Sequence, residues 1–98
     1  MKNFNKLVPA EEERLFHLIE EMGEAIQAVG KIGRHGYASR HPMGGPDNRA
    51  MLERELGHVL YTMKVMAKKY DVEWSQIEGA AIAKEETVKP YYHHQAKS

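Results

Sequence analysis

Glu20, Glu21 and Glu24 stand in the run EEMGE, and Glu55 and His58 in the run ELGH. On a helix, residues three or four apart share a face, so Glu20 with Glu24, Glu21 with Glu24, and Glu55 with His58 are neighbouring pairs. Position says more than spacing. Glu21 lies between Leu18 and Met22, beside an apolar stripe rather than opposite it. Glu55 flanks Leu52, Leu56 and Val59 in the same way. Carboxylates at a packing seam lose solvation and repel one another. A divalent cation removes both penalties, and oxygen ligands from facing helices suit Mg²⁺ or Mn²⁺. Alone, EExxE or ExxH describes an ordinary solvated helix surface. Together, on two successive long helices, they point to a metal site somewhere among Glu20, Glu21, Glu24, Glu55 and His58.

Basic residues near such a site could hold an anionic group. Gln27 and Lys31 follow Glu24 along one helix face, and Arg34 comes a turn later. Arg49 opens the second helix, and Lys84 and Lys89 lie on or just after the third. The candidate ligand-binding set is therefore Gln27, Lys31, Arg34, Arg49 and Lys84; the plain alternative for each is a solvated surface side chain. Tyr37 and the loop histidines are candidates for further contacts. His17, at a stripe edge, reads as interfacial, and Trp74 as helix-start packing. Met22, Met63 and Met66 read as core. Tyr91, Tyr92, His93 and His94 are placed to fold over the site or against a partner subunit.

Three helices must position these residues. The first is expected over residues 9–34, with Pro9 at its start and Glu11, Glu12 and Glu13 at the positive end of its dipole. Leu15, Leu18, Ile19, Met22, Ala25, Ile26, Val29 and Ile32 recur in steps of three and four, a helical period. Such a helix is about 39 Å long. Residues 35–47 hold Gly36, Pro42, Gly44, Gly45 and Pro46, too many breakers for regular structure. A loop of this length in a small domain is more often functional than a mere connector. Asp47 or Asn48 can cap the second helix. Its stripe is Leu52, Leu56, Val59, Leu60, Met63, Met66, Ala67 and Tyr70. The third helix begins near Trp74 or Ser75 and ends before Pro90. Its stripe, Ile77, Ala81 and Val88, is weaker. Three helices make a thin bundle. The expected fold is therefore all-α, an antiparallel helical bundle completed by homo-oligomerisation into a dimer or tetramer.

Composition narrows the function classes. Ninety-eight residues allow one domain, residues 1–98. Fourteen basic and 14 acidic residues cancel, which argues against a general nucleic-acid binder. There is no cysteine, so thiol catalysis and disulfides are excluded. No apolar run approaches the roughly 18 residues a membrane span needs. Residues 1–5 lack a signal-peptide pattern, which predicts a cytoplasmic protein. Twelve Glu against two Asp fit a helical chain, and half of the Glu lie on the first helix.

The pattern resembles the MazG-like all-α nucleotide pyrophosphohydrolases, and the short form is most like phage-borne members. The resemblance runs through LIEEMGEAIQA, KIGRHG, the Gly/Pro loop, NRAMLERELGHVL and the tail KPYYHHQ. It implies Mg²⁺-dependent hydrolysis of nucleoside triphosphates to the monophosphate and pyrophosphate, in the cytoplasm of a bacterial or phage-infected cell. It implies metal ligation by Glu21, Glu24 and Glu55, with Glu20 as a further ligand or as the base that orients water. His58 departs from the family, which usually has Asp at that position. An imidazole there could ligate a softer ion such as Mn²⁺ or Co²⁺, act as a base, or weaken the site. Two other readings use the same residues. A Glu plus Glu-x-x-His set, doubled in a dimer, is the ligand pattern of ferritin-like di-iron proteins. The chain could also be a helical interaction module without catalysis.

Overall fold

The computed structural model describes residues 4–95. Three α-helices follow in order: α1 (Pro9–His35), α2 (Asn48–Lys68) and α3 (Trp74–Val88), with a 3₁₀ turn at Lys89–Tyr91. The chain is all-α. Among the described residues the sole strand-like feature is an isolated antiparallel bridge between Arg40 and Asp47 in the α1–α2 loop.

The local chemistry explains the boundaries. Pro9 opens α1, where its missing N–H is no loss. The Glu11 carboxylate accepts the Val8 N–H at 2.8 Å. Arg34 and His35 fill the last turn, against the negative end of the dipole. Gly36 then turns the chain at φ 86° and ψ 168°, a region essentially confined to glycine. Asp47 caps α2 by accepting the Ala50 N–H at 2.9 Å. At the far end of α2, Tyr70 takes a left-handed φ of 64°. Its N–H donates to Ala67 O at 3.1 Å and that of Asp71 to Met66 O at 2.9 Å, the pair of bonds of a Schellman ending. Trp74 begins α3 and donates from its indole N–H to Glu78 at 2.6 Å.

Helices α1 and α2 form an antiparallel hairpin. Arg14 meets Asp71 at one end, Glu21 meets His58 in the middle, and Gly36 meets Asn48 beside the loop. The broad apolar stripe of α1 resolves into two rows. Leu18, Ala25, Ala28 and Ile32 face α2 and are buried or half-buried, and Glu21 sits in this row. Leu15, Ile19, Met22, Ile26 and Val29 form a second row, one residue on, that faces outward. In it Ile26 is 71% exposed and Ile19 63%. Met22, expected in the core, belongs to this outer row. From α2, Leu52, Val59 and Met63 are half-buried, while Glu55, Thr62 and Met66 are buried. The Thr62 hydroxyl is satisfied by donating to Val59 O at 2.7 Å.

The bundle expected from the sequence is not closed within one chain. No residue of α3 is buried, and α3 packs along neither α1 nor α2. Ala28 and Met66 are the only buried apolar residues among those described, and neither is fully enclosed. The radius of gyration is 17.2 Å, against about 13 Å for a compact domain of this length. The accessible surface is 8318 Å², against about 5,700 Å² from the size scaling of compact monomers. No helix among the described residues is long and apolar enough to cross a membrane.

Candidate metal centre

Antiparallel pairing brings the middle of α1 against the middle of α2, and the two acidic motifs meet there. Glu21, Glu24, Glu55 and His58 each offer one ligand atom, and these four atoms all lie within 4.8 Å of one another. Glu55 is buried, Glu21 and His58 are half-buried, and Glu24 is exposed. Solvent therefore reaches the cluster from the Glu24 side. His58 Nδ1 stands 3.3 Å from Glu21 Oε2 and 3.5 Å from Glu55 Oε2. Neither approach has hydrogen-bond geometry, so both buried oxygens are left without a donor among the described residues.

This arrangement is costly without a further group. A buried carboxylate oxygen with no donor forfeits its hydration and gains nothing in return. Two such oxygens converge here. A cation between them would satisfy both, so the residues present fit a divalent ion. The donor set, carboxylates and one imidazole, suits first-row ions such as Mn²⁺ better than an all-oxygen site would.

One contact was not anticipated. His17, expected at an interface, places Nε2 3.3 Å from Glu21 Oε1, the oxygen turned away from His58. Like the His58 approach, it lacks hydrogen-bond geometry, so it puts a second imidazole beside Glu21 without a bond between them. The signal was its spacing, one turn ahead of Glu21 on the same face.

The remaining candidates separate. Gln27 and Lys31 line a cavity of about 280 Å³ beside Glu24 and Glu55, together with Met51 and Arg54. Arg54 went unremarked in the sequence because a lone arginine next to Glu55 looks like a solvated helix residue. Lys31 also lines a second cavity, at the loop, with Arg34. Glu20 is not brought to the cluster. It is exposed and lines a shallow surface depression with Glu12, Glu13 and Phe16. The reason is helical: a step of about 100° from Glu21 turns Glu20 out of the α1–α2 seam. Arg49 stacks over the Tyr37 ring at 5.6 Å from its centroid and lines neither cavity beside the cluster. Lys84 is exposed on α3, away from both. Tyr91 and Tyr92 are 77% and 57% exposed, and His93 and His94 are exposed too, so the tail covers nothing in a single chain. Comparison of the chain with protein-family models, with curated proteins and with solved structures found no match.

Proposed function

We propose that this protein hydrolyses nucleoside triphosphates to the monophosphate and pyrophosphate, using a divalent cation held by Glu21, Glu24, Glu55 and His58. The observation that carries the reading is the pair of buried, donor-less oxygens on Glu21 and Glu55, facing each other across His58 Nδ1. When bound, the ion supplies neutralisation of phosphate oxygens and a more acidic water. The chain's own groups do the rest. Glu24, exposed at the mouth of the cluster, takes the proton as water attacks the α-phosphorus, and the bond from that phosphorus to the α–β bridging oxygen breaks, releasing pyrophosphate. Lys31 and Arg54, on the wall of the adjoining cavity, offset the charge of the phosphates. Gln27 donates a neutral hydrogen bond from the same wall. His17 stands beside Glu21. Glu20, Arg49 and Lys84 have no part in this reading.

A homodimer or homotetramer belongs to the same proposal. Its support is the outward row of α1, the unpacked α3 and an accessible area on the order of 2,600 Å² above that of a compact monomer. Counted over both protomers of a dimer, the excess is about 5,200 Å², at the upper end of the roughly 2,000–5,000 Å² total that obligate dimers bury. Sedimentation of the protein beside Ile26→Asp tests it: the variant is expected to be monomeric, and a monomeric parent would reject it.

The activity is tested by incubating the protein with each dNTP in Mg²⁺ or Mn²⁺ and assaying pyrophosphate. Release that depends on the metal is expected; no release with any pair would reject the hydrolase. The imidazole in the donor set favours a second reading, a di-iron carboxylate protein. Its mark is Fe²⁺ oxidation abolished by Glu55→Ala, in protein inert toward nucleotides.

A further inference from the structure

At the loop end of the hairpin lies a cavity of about 440 Å³ that the four-residue cluster does not use. Its walls carry Lys31 and Arg34 from α1, His35 at the helix end, and Arg40 and His41 from the loop. No carboxylate is among the described residues lining it. In a chain whose charges cancel overall, this is a local concentration of positive charge. Arg34 and His35 have a structural explanation, since cations favour the last turn of a helix. Arg40 and His41 have none of that kind, because they lie on the loop, yet they converge on the same space. Arg40 makes one long bond, from Nη1 to Gly45 O at 3.4 Å, and its side chain is otherwise uncommitted. His41 accepts the Met43 N–H on Nδ1 at 3.0 Å. That bond leaves the proton on Nε2, so the imidazole retains one N–H to donate.

The loop that carries these side chains is tied down. Its backbone is closed by the Arg40–Asp47 bridge and by Asn48 N–H to Ser39 O at 2.9 Å. Asn48 Nδ2 also donates to Gly36 O at 2.9 Å. Lys31 and Met51 line both this cavity and the smaller one beside Glu24 and Glu55. The two spaces are therefore neighbours across a shared wall. One elongated anion can lie with one end near the carboxylate cluster and the other in the basic cavity.

We propose that the loop cavity is a polyphosphate subsite, with Arg34 and Arg40 as its principal ligands. It holds the phosphates of the substrate farthest from the carboxylate cluster, and so selects for the number of phosphates rather than for the base. The proposal rests on the hydrolase reading for its substrate but is tested without turnover. Inorganic tripolyphosphate is titrated calorimetrically into the protein in EDTA. Saturable binding is expected, weakened at least roughly tenfold in Arg34→Gln and in Arg40→Gln, since each loses a charge-assisted contact. Glu24→Gln, outside the cavity, is expected to bind tripolyphosphate as well as the parent or better. Lys64→Gln, an exposed cation on α2 distant from the loop, should bind like the parent and controls for net charge. Circular dichroism checks that the arginine variants are folded; should either unfold, His41→Gln takes its place. Absence of binding would overturn the subsite, as would arginine variants that bind like the parent. So would displacement of tripolyphosphate by a nucleoside without phosphates, which would make the cavity a base pocket. Pyrophosphate release is scored separately. Binding without release keeps the subsite and rejects the hydrolase, and release indifferent to both arginines rejects the subsite alone.

Discussion

Two polar clusters interrupt the same α1–α2 hairpin, and they are built in opposite ways. At one end Arg14 donates through Nε and Nη2 to the two carboxylate oxygens of Asp71, with the second bond at 2.9 Å. The charges cancel and every oxygen has a donor. The Arg14 hydrogen bonds hold the Asp71 carboxyl below its usual range, against a smaller opposing effect of burial. In the middle, two of three clustered carboxylates approach one imidazole, and two buried oxygens have no donor among the described residues. The first cluster is closed: nothing more can be added to it. The second is open: no described residue completes it, and on the proposed reading a cation from solution would. On that reading the hairpin separates the group that holds the helices together from the group that takes a ligand.

That contrast can be broken most decisively at Glu24. Glu24→Ala is expected to lower pyrophosphate release by about a hundredfold or more, beyond the ten- to hundredfold typical of residues that only orient a ligand. Full turnover in this variant would misplace the site. The next effect is on stability. Mn²⁺ at a hundred times its dissociation constant should raise unfolding free energy by about 2.7 kcal/mol, read from the melting shift. Glu55→Gln should abolish that response while leaving the metal-free protein no less stable, because a repelling buried charge has been removed. A metal-free variant that melts well below the parent would mean the carboxylate is structural, and the open cluster is not open.

His58→Asp sharpens the comparison further. If the imidazole ligates, the variant should move the ratio of Mn²⁺- to Mg²⁺-supported activity toward Mg²⁺ by roughly tenfold. An unchanged ratio would place His58 outside the ligand set. The closed cluster should answer to pH alone. Its carboxyl is depressed in the folded state, so its contribution is complete above the unfolded value of about 3.9 and fades as pH falls through the lower folded value. Asp71→Asn should therefore melt below the parent at pH 7, and the gap should close in acid; a constant gap would assign it to packing. The smallest change is at Tyr70, whose left-handed backbone carries a strain of about 1–2 kcal/mol for a residue with a Cβ. Its side chain is 93% exposed. Tyr70→Gly should raise the unfolding free energy slightly, by less than about 1 kcal/mol after glycine's own entropic cost, read from denaturant unfolding.

Glu20 and Glu21 show how far the sequence could be read. Spacing alone made either a partner for Glu24. Only the choice of which row of α1 meets α2 turned one into the seam and the other to solvent. The cations divide the same way: Lys31 reaches both cavities, Arg34 the loop cavity, and Arg49 turns to Tyr37 instead. Arg54 and Arg40 gained their places where elements meet, for which a single helix face gives no sign, whereas the His17 contact follows from its spacing on α1. The outward row of α1 was legible only as excess apolar width.

What the sequence determined by itself was local. Period, proline, glycine and capping side chains act within a few residues, so the three helices and most of their ends were legible; the stripe read through Tyr70 overran α2, which ends at Lys68 with Tyr70 exposed beyond it. The meeting of EExxE with ExxH, the two unsatisfied oxygens and the basic cavity were decided by tertiary structure. These depend on the register of one helix against another, and that register follows from which of two apolar rows is buried, a competition settled by packing along the whole hairpin.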